Sequence, residues 1–240
     1  MRVVNAGLLL LADSRVPAGG HVHSGGVEAA WRAGLVTDVG SLRAFLVGRL
    51  ATSGRVAAAF AAEAARLAAG MGWSPVESAD APQGESGGRV TRPLDGQHAV
   101  WELLDEEFDA RTPSAAQRAA SRQQGRGLVR AYPGVAAELG PRPHHPIAFG
   151  ALAAVSGAAP EEAATAIALA SVTAPASAAL RLLALDPFAV HRVLTEIASI
   201  VDDVARAAAR RGELPDDCAP LLDVLAEAHH HHEEGQLFVS

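Results

Sequence analysis

The segment from Asp186 to Gly212 carries the clearest folding signal in the chain. Asp186-Pro187 is a helix N-cap residue followed by proline at the first helical position, a common helix start. Behind it, apolar residues recur at the i, i+3, i+4, i+7 spacing of one helix face: Val190, Val193, Leu194, Ile197, Val201 and Val204. The pattern predicts an amphipathic helix whose apolar face is buried against other helices.

The composition favours more helices of the same kind. Hydrophobic residues make up 49% of the chain, with alanine dominant, whereas aromatic residues make up only 4%. Alanine is the best helix former, while strands favour β-branched and aromatic residues. We therefore predict an all-α fold: one irregular helical bundle of about eight to ten helices over residues 1–240.

Local signals place several other helices. Ser24 is a candidate N-cap with Glu28 in the following first turn, and Thr112-Pro113 predicts another helix start. A long helix is expected from Pro160, and Pro175 should kink or divide it. These boundaries predict how the chain is cut into helices but not how the helices pair.

Two regions are expected to lie outside the helical body. Residues 71–97 concentrate Pro, Gly, Ser, Asp and Glu without periodicity, which predicts a flexible loop within a single domain. Residues 229–240 form a tail with apolar Leu237 and Phe238. Because so short a segment buries little area alone, we expect a partner to order it.

Several function classes conflict with the sequence. The net charge of −7 disfavours a nucleic-acid partner. All 20 basic residues are arginine, and without lysine neither a Walker A loop nor a Schiff-base site can form in its usual way. The single cysteine, Cys218, excludes an intramolecular disulfide.

A cytoplasmic location is expected. The N-terminal residues show no signal-peptide pattern. The longest uncharged run, Ala163–Leu180, contains proline and hydroxyl residues, so a buried helix is favoured over a membrane span.

Histidines offer the main candidates for chemistry. His21 and His23 follow Asp13 and Ser14 in the first loop, where they could bind a metal, form a Ser-His-Asp set or hydrogen-bond the loop backbone. The loop-stabilising interpretation is favoured. His229, His230, His231 and His232 could bind a divalent cation such as Ni²⁺, although adventitious affinity is favoured. His144-His145 is interpreted as a surface turn, and no metal site, catalytic residue or cofactor is predicted.

Arginines mark the helix that follows Thr112. The series comprises Arg111, Arg118, Arg122, Arg126 and Arg130. It forms either a solvated face or a docking strip for an acidic partner surface.

These motifs resemble, in content and order, those of the UreF urease accessory family. The first signature, L-x-D-S-x-x-P-x-G-x-x-x-H-S-x-G-x-E, is matched by Asp13, Ser14, Pro17, Gly19, His23, Ser24, Gly26 and Glu28. An R-x-x-S-x-x-x-G-R segment is matched by Arg118, Ser121, Gly125 and Arg126, and the closing segment by Leu237, Phe238 and Ser240. The chain departs from the family at Gly25, usually aromatic, and at Gln236, usually arginine.

The resemblance implies an all-α, homodimeric protein without a catalytic centre. It implies a complex with the accessory protein UreD (UreH) and the GTPase UreG that acts on urease apoprotein, and a bridging role that couples GTP hydrolysis to nickel delivery. The alternative is a small metal-binding protein that uses His21, His23 and the tract His229–His232. An enzyme built on Asp13, Ser14 and His23 is a more distant third hypothesis.

Overall fold

The computed structural model describes residues 5–13, 16, 23–73, 97–210, 214–216, 219–231 and 237–238. These residues form eleven α-helices and contain no strand, which confirms the predicted all-α class. The helices are α1 (Ala6–Leu11), α2 (Val27–Arg32), α3 (Val39–Arg49), α4 (Arg55–Gly70), α5 (Gln97–Ala110), α6 (Ala115–Ala131), α7 (Pro133–Leu139), α8 (His145–Val155), α9 (Pro160–Leu183), α10 (Pro187–Ala208) and α11 (Pro220–His230). A π-helical turn, Leu50–Gly54, joins α3 and α4 without a break.

Helix α4 lies at the centre of the bundle and packs on α8, α9 and α10. Its buried residues are almost all alanine, with Phe60 filling the larger space among them. The small side chains let helices approach closely: a Cβ added to Gly150 of α8 would overlap the carbonyl oxygen of Ala61. Alanine therefore serves close helix packing here in addition to helix propensity.

Helix α9 is continuous through Pro175, so of the expected kink or division the proline does not cause the division. Proline has no N–H, so the carbonyl of Ser171, four residues earlier, loses its intrahelical partner. The Nε–H of Arg49 donates to that oxygen at 3.1 Å instead. Burial lowers the pKa of Arg49 to about 10, which still leaves the guanidinium charged at neutral pH.

The same helix is long and apolar enough to cross a membrane by length and composition alone. In the structure it packs against α2, α3, α4 and α10, and Ile167, Val172 and Ala176 are among its buried residues. These contacts are those of a helix in the core of the bundle.

Helix α10 begins as predicted. The Asp186 carboxylate accepts hydrogen bonds from the N–H groups of Phe188 and Ala189, and the predicted stripe is buried at Val190, Val193, Ile197 and Val201.

Two other helix starts were predicted wrongly. Helix α6 begins after Ser114, whose hydroxyl accepts from Gln117 N–H at 3.1 Å, rather than at Thr112-Pro113. Helix α2 begins after Gly26 rather than Ser24, because Gly26 takes a left-handed conformation with φ of 87°. Both competing residues lie within two positions of the predicted cap.

The expected loop at 71–97 is described only at its two ends. Residues 71–73 follow α4, and Trp73 packs on Trp101 of α5 with ring centroids 5.5 Å apart. Residues 74–96 lie outside the described residues, so the loop stays a prediction.

Candidate functional site: a buried carboxylate that binds the tail

Glu28 lies in the first turn of α2, and its side chain is fully buried, with 0% exposed. Its two carboxylate oxygens accept hydrogen bonds from the backbone N–H groups of Leu237 and Phe238, each at 3.0 Å. Arg32, one turn further on, donates to the same carboxylate at 3.2 Å. Burying a carboxylate is costly unless it is hydrogen-bonded and paired. Glu28 therefore needs these tail residues to complete its environment.

The two described tail residues differ in exposure: the side chain of Phe238 is buried and that of Leu237 is exposed. The ring of Phe238 is buried, with 5% exposed, and the guanidinium of Arg181 lies 4.5 Å from its centroid in a cation–π contact. Leu237 is 68% exposed. The chain's own residues thus bury Phe238, while the expected ordering of the tail by a partner stays a prediction. The tail is also described at 229–231, whereas residues 232–236 and 239–240 lie outside the described residues.

His229 of α11 borders the same site. Its Nε2 lies 3.5 Å from Glu28 Oε2, and the side chain is buried. Burial lowers the pKa of His229, although the Glu28 carboxylate acts in the opposite direction. A neutral imidazole beside Glu28 leaves Arg32 as the main positive charge at the site.

A tight turn places Glu28. Ser24 is fully buried, and its hydroxyl accepts from the N–H groups of Gly26 at 3.2 Å and Glu28 at 3.4 Å. Gly25 has φ of 63°, a left-handed conformation that glycine adopts without strain.

The rest of the first signature is only partly visible. The carbonyl of Asp13 accepts from Val16 N–H at 3.0 Å. His23 is buried beside the turn. Ser14, Pro17, Gly19 and His21 lie outside the described residues, and so does Ser240 of the closing segment.

The second family-like segment holds α6 against its neighbours. The hydroxyl of Ser121 accepts from His145 N–H at 3.2 Å and lies 3.1 Å from His144 Nδ1. A Cβ added to Gly125 would overlap the carbonyl oxygen of Pro143. Arg118 donates to the carbonyls of Thr112 and Pro113, both at 2.7 Å. These residues have structural roles, whereas Arg126 is exposed.

His144 lies at the centre of a network of ion pairs and hydrogen bonds, so its interpretation as part of a surface turn was wrong. The side chain is fully buried, and Nε2 lies 2.8 Å from Asp109 Oδ1. Arg122 bonds Asp105 at 2.6 Å and Asp109 at 2.7 Å. Burial lowers the pKa of His144. Burial opposes ionisation of Asp109, but hydrogen bonds from Arg122 and His144 outweigh it and lower the pKa of that carboxyl.

Asp105, Asp109 and His144 also offer ligand atoms within 4.8 Å of one another, as a metal site would. Arg122 already supplies positive charge to both carboxylates, and Ser121 and Asp109 contact the two ring nitrogens of His144. We therefore assign the group a structural role. The sequence held one signal for it, the i, i+4 spacing of the two aspartates, but no local pattern links them to His144.

The metal candidates separate into buried and exposed groups. His23, His145 and His229 line one partly open cavity of about 190 Å³, and burial, together with nearby His23, lowers the pKa of His145 to about 4. His230 and His231 are exposed, and His232 lies outside the described residues. The tract is therefore not a single ligand set, since His229 faces the interior.

Comparison with known proteins agrees with the motifs. The UreF family model matches residues 36–198. The chain is 45% identical to urease accessory protein UreF of Mycobacterium sp. strain JLS, with 97% of each chain covered. It is 44% identical to the protein of that name from Mycolicibacterium vanbaalenii, with 93% of this chain and 94% of the relative covered.

A third relative, UreF of Mycobacterium marinum, is 42% identical with 97% of each chain covered. These relatives are named as accessory proteins rather than enzymes, in agreement with the predicted non-catalytic class. The chain belongs to the UreF family of urease accessory proteins.

Proposed function

We propose that this chain is a non-enzymatic scaffold for assembly of the urease nickel centre. It bridges the UreD (UreH) accessory protein and the GTPase UreG on urease apoprotein, in the cytoplasm and as a homodimer. The observation that carries the proposal is the tail site, where Glu28 fixes the backbone of Leu237 and leaves its apolar side chain exposed. An apolar side chain held outward on a fixed backbone is suited to binding a protein surface.

Helix α11 adds to the same interpretation. It supplies His229 to the tail site and exposes Leu221 and Val224 one turn apart. Exposed apolar residues on an ordered helix, beside an ordered tail, favour protein binding over catalysis. The absence of lysine from the sequence agrees with a role in which a partner carries out the nucleotide chemistry.

The test is co-expression with UreD and UreG followed by size-exclusion chromatography. We expect a complex that contains all three proteins, and light scattering should show a dimer of the isolated chain. Deleting residues 236–240 should abolish UreD binding while helicity by circular dichroism is retained.

Leu237→Ser is the matched point variant. It keeps the backbone N–H that donates to Glu28 and removes only the exposed apolar side chain. It should weaken UreD binding without loss of stability. Undiminished UreD binding by the deletion variant would refute this role for the tail.

A metal-binding function is the second candidate, because His23 and His229 line one cavity with His145. Nickel titration with and without His230–His232 distinguishes the two. Stoichiometric binding that survives loss of His230–His232, but not substitution of His23, would favour this alternative over the scaffold.

A further inference from the structure

Helix α6 contains four arginines, spaced four residues apart, and no acidic residue. Side chains at i and i+4 are neighbours on a helix surface, and like charges at that spacing repel. The series Arg118, Arg122, Arg126 and Arg130 therefore stabilises neither the isolated helix nor the bundle unless acidic groups face it.

The structure divides this series into two halves. Arg118 is held by two backbone carbonyls and lies 3.7 Å from Asp109. Arg122 bonds Asp105 and Asp109. The first half of the series is thus neutralised within the molecule and has little charge left for a partner.

Arg126 and Arg130 form the other half. Both are exposed, and among the described residues neither makes an ion pair or a side-chain hydrogen bond. Arg130 lies in the last turn, where the helix dipole favours a cation, but Arg126 lies a full turn earlier, where that effect has faded. The internal contacts of the bundle thus leave two adjacent like charges uncompensated.

The surrounding surface is exposed, and the other side of the helix packs in the bundle. The exposed residues of α6 follow one face, which we call the α6 stripe: Ala115, Ala119, Gln123, Arg126 and Arg130. On the opposite face Gly125 packs directly on the Pro143 carbonyl, and Leu128 and Val129 are buried. Alanines at one end allow close approach of a partner, and guanidinium groups at the other bind carboxylates in fixed geometry.

We propose that the α6 stripe is a docking surface for an acidic face of another protein in the urease accessory complex, with Arg126 and Arg130 as its charged anchors. This inference rests on the proposed scaffold function and specifies one surface that performs it. Of the five arginines in the docking strip suggested by the sequence, only Arg126 and Arg130 belong to this surface. Arg111, Arg118 and Arg122 do not, because acidic groups of the same chain pair with all three.

The experiment measures binding of purified UreD and UreG, separately and together, to full-length wild type and to R126E/R130E. Reversal should weaken binding of one partner by about 10-fold or more and should remove most of the salt dependence of its association rate. R126K/R130K, which keeps the charge but loses the guanidinium geometry, should keep the salt dependence and lose only part of the wild-type affinity.

R192E/R206E is the control, because it makes the same charge change at exposed positions of α10, where Arg206 forms a solvent-exposed ion pair with Asp203. It should bind as wild type does. Thermal unfolding of each variant checks the fold, and R126Q/R130Q replaces the reversal variant if the latter does not fold.

Wild-type affinity and salt dependence in R126E/R130E, or equal weakening in the α10 control, would overturn the α6 docking surface while leaving the scaffold function intact. Failure of wild type to bind either partner would overturn both proposals.

Discussion

The Glu28 site and the His144 network both surround buried groups with ion pairs, but they join different kinds of structure. The His144 network joins residues that lie on helices of the bundle or directly beside them: Asp105, Asp109, Arg122 and His144. Glu28 instead binds two backbone N–H groups of a short tail. The first arrangement holds helices together, whereas we expect that the second can be released without unfolding them.

The largest effect is expected where α6 contacts the His144 segment. Gly125→Ala would place a Cβ against the Pro143 carbonyl, which is backbone and cannot rotate away. We expect a loss of about 3 kcal/mol in the free energy of unfolding, measured by chemical denaturation. Gly48→Ala is the control, because Gly48 of α3 has open space around it, and it should be neutral or stabilising by up to about 1 kcal/mol. Equal stability of the two variants would show that the close contact between Gly125 and the Pro143 carbonyl does not stabilise the fold.

A smaller effect is expected from the tail site. Glu28→Gln removes the charge and replaces one of the two acceptor oxygens with a donor, which faces a backbone N–H. We expect a loss of about 1 to 3 kcal/mol and faster amide hydrogen exchange at Leu237 and Phe238. Exchange within α4 and α9 should be unchanged. A global increase in exchange would mean that the tail site, like the His144 network, holds the bundle together.

The smallest effect is expected at the ring of Phe238. Arg181→Gln removes the cation over this ring while Glu28 still binds the backbone. We expect a loss of about 0.5 to 1 kcal/mol and a modest rise in exchange confined to the tail. An effect as large as that of Glu28→Gln would show that the ring of Phe238, rather than the two backbone hydrogen bonds to Glu28, provides most of the tail's binding energy.

Local sequence signals predicted helices well where one residue dominates the start. Asp186-Pro187 is such a case, since no competing cap lies nearby and the apolar stripe begins at once. At Thr112-Pro113 the prediction missed by two residues because Ser114 makes the better cap, and Glu227 of α11 accepts from its hydroxyl at 2.6 Å. That contact spans 113 positions and has no local signature.

The candidate site shows the same limit. The resemblance singled out Glu28 and Phe238, but nothing in either segment predicts that they meet, because 210 positions separate them. His144 was misassigned for a related reason. Flanking prolines predict an exposed turn, and only the packing of α5 and α6 around the segment buries it.

The position of Glu28 in the sequence also has a consequence for folding during synthesis on the ribosome. The carboxylate is translated more than 200 positions before the N–H groups that it binds. Until Leu237 and Phe238 emerge, the nascent chain can assemble most of its helices but must leave this acid in water or pair it with Arg32 alone. The hydrogen bonds between Glu28 and the tail therefore form only after all eleven described helices have been synthesised.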